Sequence, residues 1–136
     1  MSCKICYPPK EHELPDLNEA ASCFENGDYV RAFELALPLA VQGITKAQCM
    51  VGGFYQTGLG GEMNSLAAET WLRMAGEQGC GLAWHNLSTL YLTGGYGVEP
   101  NKDEALNCRR KAIENGFDLN AEMPESWSKC YEDLLR

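Results

Sequence analysis

Apolar residues return at helical spacing along most of this chain, and a glycine closes every stretch but the last. Leu17, Ala20, Ala21 and Phe24 share one face until Gly27. Tyr29, Ala32, Phe33, Ala36, Leu37 and Ala40 make a second stripe, ending at Gly43. Pro38 lies inside it, where the missing N–H predicts a kink. A third stripe carries Ala47, Met50, Val51, Phe54 and Tyr55 up to Gly58. After the turn Gly58–Gly61 a fourth carries Leu66, Ala67, Trp71, Met74 and Ala75, up to Gly79. The fifth holds Ala83, Trp84, Leu87, Leu90 and Tyr91 before Gly94. The sixth starts near Lys102 or Asp103 and holds Ala105, Leu106, Cys108, Arg109, Ala112 and Ile113. Trp127, Cys130, Tyr131, Leu134 and Leu135 form a last stripe, with Pro124 suited to its first turn. Seven helices and no strand are expected.

The closing glycines carry a period. Gly43, Gly79 and Gly116 end similar phrases and are spaced by 36 and 37 residues. Spacing in that range marks a repeat protein, whose units bury their apolar faces only by stacking. The units read 16–43, 44–79 and 80–116, with a capping helix over 117–136 and an extended tail over 1–15.

The two later units agree position by position. Ala47 aligns with Ala83, Tyr55 with Tyr91, and Thr57-Gly58 with Thr93-Gly94. Ala68 aligns with Ala105, Ala75 with Ala112, and Gly79 with Gly116. Gly97-Val98, Asp103, Ala105 and Lys111-Ala112 resemble the Sel-one-like repeat (SLR) family, as does the run Trp71–Gly79. Phe24–Ala32 resembles the related tetratricopeptide turn. Three positions depart from the family pattern: Ser88 follows Leu87 where glycine is usual, Cys108 stands where tryptophan is usual, and Gly60-Gly61-Glu62 lacks the valine.

The resemblance implies an all-α fold, an α-α superhelix: a right-handed solenoid of three helical hairpins plus the capping helix. It also implies a concave side lined by the first helix of each hairpin. On that side the pattern puts Lys46, Cys49, Gly53, Gln56 and Thr57 in one unit and Leu82, His85, Thr89, Leu92 and Thr93 in the next. Such a face suits a protein or peptide partner and needs no cofactor. The ends of a short stack also offer a surface to a second copy, which would make a homodimer.

Composition narrows the partners. Net charge is −8, which argues against nucleic acid and anionic membrane surfaces. Arg109-Arg110-Lys111 is the densest basic cluster, and it falls late in a helix, where cations suit the dipole. No apolar run is long enough to span a bilayer. The first residues lack an apolar signal region. Seven cysteines, an odd number, fit reduced thiols in a cytoplasmic protein better than a disulfide scaffold.

Candidate chemistry is sparse. Cys3 and Cys6 form a Cys-x-x-Cys pair with His12 nearby, which could supply three zinc ligands. A zinc site needs a fourth, so a small metal-binding protein is the alternative reading. Cys49 and His85 share one repeat position, but no third group orients them for nucleophilic catalysis. The glycine-rich turns follow no strand and lack a P-loop lysine. The sequence therefore predicts a non-catalytic interaction module.

Overall fold

The computed structural model describes residues 15–117, which form six helices. They are α1 (Pro15–Glu25), α2 (Tyr29–Val41), α3 (Thr45–Thr57), α4 (Ser65–Glu77), α5 (Gly81–Thr93) and α6 (Lys102–Glu114). No strand occurs among the described residues; one backbone bridge, Gly95 to Val98, pins the α5–α6 loop. Cys3, Cys6, His12 and the expected capping helix beyond Phe117 lie outside the described residues.

Small side chains decide how the helices pair. Ala68, Ala75, Ala83 and Ala105 are fully buried, so neighbouring backbones come close. Gly52 on α3 lies against Leu72 of α4; a methyl group at Gly52 would come within 2.6 Å of the leucine. Gly76 on α4 lies against the indole of Trp84 on α5 in the same manner, at 2.7 Å. The closest packing runs within the hairpins α1–α2, α3–α4 and α5–α6. Successive hairpins join through α2–α3 and α4–α5, and α3 also touches α5. The result is an all-α helical solenoid.

Two apolar clusters fill it. One joins Leu17, Ala36, Leu39, Ile44 and Val51. The other runs from Cys49 through Leu72, Trp84 and Leu87 to Phe117. Tyr55 packs against both and ties the first hairpin to the rest.

Some stripes are rotated from the expected ones. On α4 the buried face is Ser65, Ala68, Leu72, Ala75 and Gly76, while Leu66 and Met74 face solvent. On α6 it is Ala105, Cys108 and Ala112, while Leu106 and Ile113 are exposed. Helix α2 passes through Pro38 unbroken to Val41. Pro38 lacks an N–H, so the bond it would have given to the preceding turn is lost.

Helix ends follow a rule. The second helix of each hairpin has a side-chain N-cap: Asp28 accepts from the Arg31 N–H, Asn64 from that of Ala67, and Asn101 from that of Glu104. Helices α3 and α5 start at Ile44 and Cys80 without a side-chain cap bond. Between hairpins the chain turns at a glycine instead. Gly79 takes φ +103°, which strains any other residue, and Gly43 and Gly116 repeat that turn.

Candidate functional site

Helix α3 presents Thr45, Lys46, Cys49, Met50, Gly53 and Thr57 along one stripe, at spacings of one helical face. The start of α5 lies alongside and adds Leu82 and Asn86. Between them opens a cleft of about 670 Å³. Phe24 from α1 and Leu59 close one end, and Gln78, Gly79 and Cys80 close the other. Phe24 is held at the rim by ring contacts with Tyr29 and Phe54, at 5.4 and 5.9 Å. Gly53 keeps the floor open, since a methyl there would meet only Asn86, 4.0 Å away.

The polar groups at the cleft are largely committed to the protein itself. Thr45 donates to Gln78 at 2.5 Å, and Gln78 donates to Gln48 at 3.1 Å. Gln48, buried, donates to the Ala40 carbonyl. This chain clamps the ends of α2 and α4 to the first turn of α3. Gln56 donates to the Asn86 carbonyl and bridges α3 to α5. The hydroxyls of Thr57, Thr89 and Thr93 donate back to carbonyls four residues earlier. Lys46 is the one exposed lysine or arginine of the lining.

The expected face is thus brought together in part. Lys46, Cys49, Thr57 and Leu82 line the cleft, and Gln56 stands beside it. His85, Thr89, Leu92 and Thr93 do not line it. His85 was expected to be exposed and is only 7% exposed. Its ring stacks on Phe117 with centroids 4.4 Å apart and planes 14° from parallel. Burial, then the charge of Arg109, holds its pKa below the usual 6.5. Leu92 packs half-buried against the larger core cluster. Cys49 is buried although it borders the cleft. A hydrogen bond with Cys80, then burial, pushes its thiol pKa upward.

Sequence reasoning missed Phe24, Met50, Leu59, Gln78, Cys80 and Asn86. Most come from neighbouring hairpins or from turns. The signal for Cys80 was its place just after the repeat glycine, the place that Phe117 takes one unit later.

No catalytic arrangement emerges among the described residues. Tyr91 donates to Glu69 at 2.7 Å and accepts from Arg73 at 2.8 Å, and Arg73 reaches Glu104 at 3.4 Å. Burial and the Glu69 bond push Tyr91 up to about 12, so it stays a phenol and a donor. This network joins α4, α5 and α6. Burial pushes Cys108 up to about 11, which keeps it a thiol. No group of three metal-ligating side chains exists among the described residues. No described helix is long and apolar enough to cross a membrane.

The Sel1 repeat profile matches residues 45–80 and 82–117, the units formed by α3–α4 and α5–α6. The chain belongs to the Sel1 repeat family. The first hairpin, α1–α2, falls outside the matched units. Chitin synthase regulatory factor 3 of Schizosaccharomyces pombe is 41% identical over 110 residues, 79% of this chain and 11% of that protein. A Sel1 repeat protein from Oxalobacter formigenes superposes with a TM-score of 0.68 at 30% identity, covering 77% of this chain and 41% of the other. A protective antigen of uropathogenic Escherichia coli strains, with an SLR fold, gives 0.69 at 31% identity, covering 75% and 23%. The chain therefore spans less than half the length of each of these relatives. Sel1 repeat proteins generally mediate protein–protein interaction.

Proposed function

We propose that this Sel1 repeat chain is a non-catalytic interaction module of the cytoplasm that holds a segment of a partner protein in the α3–α5 cleft. The cleft itself carries the reading. It is concave, predominantly apolar, and large enough for several side chains. Its bordering amides and hydroxyls mostly bond to the protein, so affinity comes from seating apolar side chains over Met50, Leu59 and Leu82. Lys46 at the rim favours a segment with an acidic residue beside its apolar anchor. The regulatory role named for the fission-yeast relative is in keeping with an adaptor.

The test uses Leu82→Glu and Lys46→Glu, both at exposed positions of the lining. Tagged full-length protein and each variant are used to capture partners from the native host, followed by mass spectrometry. Proteins held in the cleft drop about tenfold or more with both variants, a change of about 1.4 kcal/mol. The melting temperature stays unchanged. Equal capture by all three proteins overturns the reading.

A further inference from the structure

Cys49 and Cys80 both line the cleft, and Cys80 packs against the core cluster that contains Cys49. Cys49 sits on the second turn of α3, and Cys80 stands at the N-cap of α5. The two thiols interact strongly enough for Cys80 to be the first cause of the rise in the Cys49 pKa, neither is in a disulfide, and both border the cleft. The repeat sharpens the point. One unit later the same two positions are His85 and Phe117, stacked at 4.4 Å and closing their junction with two rings. At the Cys49–Cys80 junction two small sulfur groups stand instead, at the edge of the cleft.

We propose that Cys49 and Cys80 are a reversible dithiol–disulfide site, oxidised by a low-molecular-weight disulfide that enters the cleft. Cys80 attacks first. It is only half-buried, its sulfur caps no backbone N–H, and it stands where a helix N-terminus favours negative charge. Its thiolate forms a bond to one sulfur of the reagent. The reagent's S–S bond breaks, and half of the reagent leaves as a thiolate that takes up a proton. Cys49 then gives its proton to solvent and attacks the Cys80 sulfur, expelling the second half as a thiol. Two protein thiols lose two electrons in all, and one disulfide molecule becomes two thiols.

The product ties the second turn of α3 to the start of α5, across the boundary between two repeats. It links the two helices that form the cleft walls, so the cleft opening becomes fixed. The remaining described cysteines differ in kind. Neither Cys108 nor Cys23 lines the cleft. The proposal concerns thiol chemistry and does not depend on the cleft having a protein partner.

The experiment treats the reduced full chain with oxidised glutathione, blocks remaining thiols with N-ethylmaleimide and digests with trypsin. Arg73 separates the two cysteines, so a linked pair of peptides, 47–73 and 74–102, is expected, released by dithiothreitol. In Cys49→Ser the glutathione adduct is expected to remain on Cys80. In Cys80→Ser, Cys49 is expected to stay unmodified. Recovery of both peptides alkylated, or glutathione held stably on Cys80 of the unaltered chain beside an alkylated Cys49, overturns the proposal. The unaltered chain decides it even if a variant folds poorly.

Discussion

Trp84 illustrates how single residues set the distance between units. Its indole lies on Gly76, and Lys111 approaches the ring within 4.5 Å. The lysine of the repeat signature thus contributes a cation–π contact as well as a charge near a helix end. Replacing Gly76 by alanine gains helix propensity of about 1 kcal/mol. It also drives a methyl group into a ring held on both sides, which costs about 1–3 kcal/mol. Gly76→Ala is expected to be less stable than the unaltered protein in urea unfolding, and Gly53→Ala, with open space above it, equal or more stable. The same residues explain what the sequence hid. Leu66 and Met74 look like core because they are large, yet glycine and alanine line the closest approach. His85 looks like a groove residue because its helix position is right. It is covered because the chain returns at Phe117 directly after Gly116.

At the scale of elements, the hairpins differ in how their two helices begin. The caps Asp28, Asn64 and Asn101 stand at the entry to α2, α4 and α6. In the last two hairpins the cap residue's own N–H also donates to the tyrosine carbonyl of the preceding helix, Tyr55 or Tyr91. Asn101→Ala removes one bond to an otherwise unpaired N–H and is expected to lose about 1 kcal/mol. A thermal melt would report this as a drop of about 3–5 °C. Asn101→Asp keeps the acceptor and should melt within a degree or two of the unaltered chain. The helices themselves were legible because their stripes and closing glycines agree. Cleft residues at the turns, Gln78 and Cys80 above all, were not, since periodicity says nothing about where a turn comes to rest.

For the whole molecule, the far junction makes stability depend on pH. Burial, and to a smaller extent Arg109, lowers the pKa of His85 in the folded state. As pH falls through about 6.5 the unfolded chain binds a proton that the folded chain resists. The contribution of His85 to stability is therefore full above that range and is lost progressively below it. The melting temperature is expected to fall between pH 7.5 and pH 5.5, and to fall less in His85→Gln. An equal fall in both proteins would show that other groups carry the dependence. Fold class was legible at this scale because a period of 36 or 37 residues admits few architectures. The cleft was only half legible, because it is made by two hairpins together and by Phe24 of a third.

The one-residue difference in spacing falls in the loop from Gly94 to Pro100, where Gly95 and Val98 bridge and Tyr96 is 96% exposed. No residue of that loop borders the cleft. Length there is free to vary, which makes position 96 a natural splice point for a fluorescent reporter or an affinity handle placed outside the cleft lining.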